Sequence, residues 1–161
     1  MRGMSELTHV REPGGATVGQ RQADAPVKVM TSDSSWKASR TYRGSADQLR
    51  EVRGFLAAIL QGCPMADDAV LMGSEIAANA VQHSGSRKPG GEFTVRAEAY
   101  EGDYLCVEVE DQGGPWVVPA ARSDGRGHGL RIVGELADDW GCDGDATTGW
   151  VVWFRLDWSA G

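Results

Sequence analysis

Two hydrophobic periods divide this chain, and the point where one gives way to the other limits the folds open to it. From Leu49 to Val81 apolar residues recur three and four apart: Leu49, Val52, Phe55, Leu56 and Ile59, then Val70, Leu71, Ile76, Ala77, Ala80 and Val81. That spacing lines one face of an α-helix. From Glu92 to Glu110 the period is two, with Phe93, Val95, Ala97 and Ala99 alternating against polar neighbours, and Leu105, Val107 and Val109 against Cys106, Glu108 and Glu110. Alternation of this kind marks strands with one buried face.

The punctuation between these runs sets the element order. Ser45 stands where a helix N-cap belongs, and Gly62-Cys63-Pro64 ends the first helix. The second helix is expected over about Met65 to Gln82, with Asp67 and Asp68 in its first turn, where the helix dipole favours negative charge. Glu101-Gly102-Asp103 is short enough to make the two strands an antiparallel hairpin. A strand is expected around Trp36 to Tyr42, a third helix over about Gly129 to Ala137, and closing strands near Asp139 to Cys142 and Gly149 to Trp158, turning at Asp143-Gly144-Asp145. Strand, helix, helix, hairpin, loop, helix, hairpin is the order of an α+β two-layer sandwich, three helices on a mixed, mostly antiparallel sheet.

Composition narrows the class further. With 161 residues, 41% of them apolar, the chain suffices for one core, read here as a domain over residues 35–158 with a short C-terminal tail, 159–161. Residues 1–34 are polar and Gly/Pro-punctuated, without a sustained apolar period, and read as a disordered N-terminal tail. A net charge of −7, spread along the chain, gives no basic footprint for nucleic acid and suits a basic protein partner. Cys63, Cys106 and Cys142 are too few and too scattered for a disulfide framework, which points to reduced thiols and a cytoplasmic setting. No run is long and apolar enough to span a membrane, and the N-terminus lacks a signal-peptide core. Only Lys28, Lys37 and Lys88 among the 16 basic residues are lysine, a hint of a GC-rich, actinobacterial-type source.

Three short constellations carry chemistry. Glu75 and Asn79 lie one helical turn apart on one face: an amide oxygen suits Mg²⁺, and a carboxylate can take a proton from an attacking hydroxyl, although an isolated pair reads by default as a solvated polar stripe. Asp111 ends an alternating strand before Gln112-Gly113-Gly114; it can accept from an adenine amine, or serve an ordinary turn. Gly125-Arg126-Gly127-His128-Gly129-Leu130 leads into a helical apolar pattern, a glycine-rich helix entry that presents N–H groups to phosphate or acts as a hinge. Neither a dinucleotide fingerprint nor a GK[ST] phosphate loop is present.

In this order the three pieces resemble the GHKL superfamily of ATP-binding folds, which includes histidine-kinase catalytic domains and gyrase-type ATPases. Within it the chain is most similar to the anti-sigma regulatory factor and serine protein kinase branch. Ser74 to Ser84 matches the N box, Val107 to Pro115 the first glycine box, Gly125 to Val133 the second, and Trp153-Phe154-Arg155-Leu156 the terminal strand. The resemblance implies ATP and Mg²⁺ as cofactors, with Asn79 on the metal and Glu75 as base. It also implies Asp111 reading adenine, Gly113 letting the base approach, and Gly127, Gly129 and Leu130 wrapping the phosphates. His83, Arg126 and His128 receive no role. Two departures stand out: Asp111-Gln112-Gly113-Gly114-Pro115 displaces the second glycine, and Trp150 stands where the family has a small hydroxylated residue supporting the base, a task Thr148 can take from across the turn. The implied function is a regulatory serine/threonine kinase that phosphorylates a small anti-sigma-factor antagonist and sequesters a sigma factor, with a homodimer left open. The alternative is a degenerate ATP-binding module that regulates by sequestration alone.

Overall fold

The computed structural model describes residues 27–32, 34–114 and 128–158. Among them six strands form one sheet: β1 Val29–Ser32, β2 Ser35–Arg43, β3 Glu92–Tyr100, β4 Tyr104–Glu110, β5 Asp139–Asp145 and β6 Gly149–Asp157. Their spatial order is β1-β2-β3-β4-β6-β5, and every neighbouring pair is antiparallel, so the sheet has no parallel component. Three helices, α1 Gln48–Ile59, α2 Ala66–His83 and α3 His128–Leu136, complete the α+β sandwich among the described residues.

Period-two alternation decides which sheet face the helices cover. Trp36, Ala38 and Tyr42 of β2, Phe93 to Ala99 of β3, Leu105 to Val109 of β4, and Val152, Phe154 and Leu156 of β6 are buried at every second position. Facing them are Val52, Phe55, Leu56 and Ile59 of α1 and Met72, Ile76, Ala77 and Ala80 of α2, in one continuous core. The ring of Tyr42 stacks on Phe93 at 5.5 Å between centroids and meets Phe55 edge-on at 6.3 Å. The opposite sheet face is polar and laced with ion pairs, Lys37–Glu98 at 3.2 Å and Arg96 bridging Glu108 and Glu110.

Several expectations change. β1 lies inside the stretch read as a tail: Val29 and Met30 pair with Lys37 and Trp36, and Ser34 at φ 67° makes the tight return, so backbone pairing holds a segment whose Val29 and Met30 side chains stay exposed. Ser45 does not cap α1 through its side chain; its carbonyl accepts from Gln48 N–H, and Asp47 occupies the cap position. The Ser45 hydroxyl, and then Gln48, hold the Asp47 carboxyl below its ordinary range. Leu71 is exposed on α2, whereas Met72, one position on, is fully buried. The last hairpin turns at Ala146-Thr147-Thr148, not at Asp143 to Asp145, which extend β5. Gly73 also acquires a purpose: a Cβ there would lie 2.5 Å from Leu56 Cδ1, so α1 and α2 pack closely because this position carries no side chain. Residues 1–26 and the C-terminal 159–161 lie outside the described residues.

Candidate functional site

At the end of β4 the chain leaves the sheet through Asp111, a buried carboxylate at 7% exposure. Its Oδ1 accepts from the N–H of Gly113 at 2.7 Å and of Trp150 at 3.1 Å, while its own N–H donates to the Trp150 carbonyl at 2.9 Å. Burial pushes the carboxyl above its ordinary range, and the two N–H donors pull the other way. One oxygen is thus committed to the backbone, and the hydrogen bonds made to the carboxylate among the described residues all go to Oδ1.

Two glycines make this possible. Gly113, at φ 75°, sits so close to the Ala146 carbonyl that any Cβ would overlap it; Gly149, at φ 115°, presses on the Asp111 carbonyl in the same way. Gly114 N–H donates to Ala146 O at 2.9 Å, tying this loop to the β5–β6 turn. The close approach that Gly113 permits within the chain is therefore to that turn.

The same loop is fastened to the end of α2. Ser84 Oγ donates to Ala80 O at 2.6 Å and accepts from Ser86 N–H at 3.0 Å, shaping the 3₁₀ turn Gly85–Arg87. Gly85 N–H donates to Gly113 O, and Gln112 N–H to Ser86 Oγ at 3.1 Å. Glu75 and Asn79, both half-buried, ride on this helix, and α3 packs against it. Segments bearing Glu75 and Asn79, Asp111 and Gly113, and Gly129 and Leu130 are thereby joined around α2. Gly129 and Leu130 fall in the first turn of α3, where helix N–H groups lack intrahelical acceptors. Leu130 is buried with Val133 in the core, and Cys142 and Trp150 are packed against it. The Cys142 thiol is pushed up to about 11 by burial and by the nearby charges of Asp111 and Asp143, so it is a neutral, weakly polar neighbour.

Thr148 takes a different place from the one expected. Its N–H donates to Asp145 Oδ1 at 2.7 Å, and its exposed side chain belongs to the same turn; the N–H that reaches Asp111 is that of Trp150. Because this contact is made by main chain, a tryptophan can hold the position that a small hydroxylated residue occupies in the resemblance. Gly127 and Pro115 lie outside the described residues. Sequence reading missed Ser84, Ser86, Gly149 and the Trp150 backbone; the Ser-Gly-Ser run after α2, a strong local turn former, was the available signal. A cavity of about 540 Å³ lies on the open sheet face, lined by residues such as Val29, Lys37, Arg96 and Cys106, none of them in this site.

A buried carboxylate at a strand exit is held by glycines at fixed positions on a loop bonded to the end of α2, and residues 43–156 match the family described as the histidine kinase-like ATPase domain. The chain belongs to that family. An ATPase-like domain of this kind implies ATP as ligand, and the antiparallel sheet with three helices agrees with it. No curated protein matches the chain. No helix among the described residues is long and apolar enough to cross a membrane.

No group of three or more His, Cys, Asp or Glu side chains that could hold a metal ion occurs among the described residues.

Proposed function

We propose that this ATPase-family domain is a regulatory serine kinase of anti-sigma-factor type, which phosphorylates a serine of a small antagonist protein and sequesters a sigma factor in the cytoplasm. The observation that carries the reading is the placement of Glu75 and Asn79 one turn apart on α2, the helix whose end is bonded to the Asp111 loop. Adenine would be read by Asp111 Oδ2, and the triphosphate would run toward the first turn of α3. Asn79 would hold Mg²⁺, which when bound screens the phosphate charge. Glu75 would then orient the partner's serine and take its hydroxyl proton as the new O–P bond forms; the bond from the γ-phosphorus to the β–γ bridging oxygen breaks, and ADP leaves.

Incubating the purified chain with Mg²⁺-ATP and its antagonist, identified by co-purification, tests this. Phosphoserine on the antagonist, lost with Glu75→Ala while ATP binding persists, is the expected result. Undiminished phosphoserine in that variant, or none with the wild-type chain, sinks it. Trp150 favours one second reading, nucleotide-dependent sequestration without transfer, because a bulky side chain stands where the resemblance places a small hydroxylated one. ATP binding with no phosphoserine would select that reading.

A further inference from the structure

We infer that Ser86 is a positioning residue for base recognition, holding the Asp111–Gly113 segment in the register that presents Asp111 Oδ2 to a purine amine. The inference rests on the nucleotide reading and goes beyond it, since Ser86 belongs to none of the three sequence boxes.

Ser86 is completely buried, with 0% exposure, at the crossing of four chain segments. Its Oγ accepts from Gln112 N–H at 3.1 Å, its N–H donates to Ser84 Oγ at 3.0 Å, and its carbonyl is so tightly flanked that a Cβ at Gly44 or Gly91 would overlap it. Gly44 and Gly91 are themselves joined by a 2.9 Å backbone bond across the entries to α1 and β3. The serine is thus fixed on one side by chain that cannot yield and aims its hydroxyl at the first residue after Asp111. Gly85 N–H adds a second anchor, on Gly113 O. Between these two anchors Gly113 N–H is directed at Asp111 Oδ1, which leaves Oδ2 for the ligand.

A hydroxyl is needed here and a methyl will not serve. Without the Ser86 acceptor, the Gln112 N–H loses its protein partner, and the loop can rotate to find water. Rotation carries Gly113 N–H off Oδ1 and frees the carboxylate to turn. In the proposed reading the phosphates run toward the first turn of α3, away from the Ser86 bond. Loss of Ser86 Oγ should therefore weaken recognition of the base selectively and leave phosphate binding in place.

The test compares ATP with ITP, which carries a carbonyl oxygen where adenine has its amine, by calorimetry in the presence of Mg²⁺. The wild-type chain is expected to prefer ATP by on the order of tenfold, the size of one charge-assisted hydrogen bond. In Ser86→Ala the preference should fall to near unity, with ITP affinity changed less than about twofold. Val52→Ala, a buried substitution in α1 far from the loop, provides the control: it lowers the melting temperature but should keep the ATP preference. A Ser86→Ala protein that retains the wild-type preference overturns the inference, as does a Val52→Ala protein that loses it to the same extent. Should Ser86→Ala fail to fold, amide exchange in the wild-type chain decides, because an unprotected Gln112 N–H contradicts the bond and strong protection upholds it. Failure of the wild-type chain to bind ATP at all is a separate outcome, which overturns the nucleotide reading and with it the role in base recognition.

Discussion

Asp111 offers the sharpest separation between binding and folding. In Asp111→Asn the side-chain oxygen still accepts from Gly113 and Trp150 N–H, at 2.7 and 3.1 Å in the native chain, while an NH₂ group replaces Oδ2. Folding should be retained or improved. Burial holds the native carboxyl above the ordinary range, so the folded chain binds its proton more tightly than the unfolded chain, and stability falls as pH rises through that window. The amide abolishes this penalty at neutral pH. ATP binding should suffer, because an NH₂ facing an adenine amine exchanges an attraction for a clash of donors; loss of one charge-assisted hydrogen bond alone costs roughly 1.5–3 kcal/mol, about ten- to a hundredfold in Kd. Asp111→Ala goes further, stranding two N–H groups at about 1–3 kcal/mol each, and should unfold at clearly lower denaturant. Calorimetric titration with Mg²⁺-ATP and urea melts of the three proteins supply both quantities. Wild-type ATP affinity in Asp111→Asn would refute the assignment of Oδ2 to the ligand, and equal stability of the Ala and Asn variants would refute the backbone-anchoring argument.

Other consequences can be checked the same way. Gly149→Ala should destabilise by more than about 2 kcal/mol in urea melts, since φ 115° strains any side chain and the new Cβ meets a backbone carbonyl that cannot move aside. Gly73→Val should cost about 1–3 kcal/mol by overpacking against Leu56, and a double-mutant cycle with Leu56→Ala should show a coupling of about 1 kcal/mol or more, as expected of side chains in direct contact. Cys142 should react slowly with iodoacetamide at pH 8, its rate rising close to tenfold per pH unit toward its pKa of about 11, and bound ATP should slow it further. Arg96→Met should change stability by less than about 1 kcal/mol, because its ion pairs to Glu108 and Glu110 are only partly buried; a larger loss would mean the open sheet face contributes more than a solvated charge network does.

What the sequence by itself determined is the part written in repeating patterns. The 3.6 and 2.0 periods located α1, α2, β3 and β4 and, with Leu71 of α2 as an exception, chose their buried faces, because burial of apolar area imposes those periods directly. Gly62, at φ 83°, ended α1 where its sequence context placed the stop. The strand-end place of Asp111 was legible in the alternation before it, and the one-turn spacing of Glu75 and Asn79 in the helical period. Tertiary structure decided what has no local period. The order of β6 between β4 and β5 depends on which strand carries Val152, Phe154 and Leu156 to the core, while Asp139, Asp143 and Asp145 suit the exposed edge. β1 is held by pairing with the β2 backbone, its apolar side chains reaching no core. Most of all, beside the local bond from Gly113, Asp111 is fixed by Trp150, 39 residues away, and the residue after Asp111 is held by Ser86, 26 residues away from it. No one-dimensional pattern records a main-chain N–H as a partner, since every residue but proline has one; only folding brings the particular donor to the particular carboxylate.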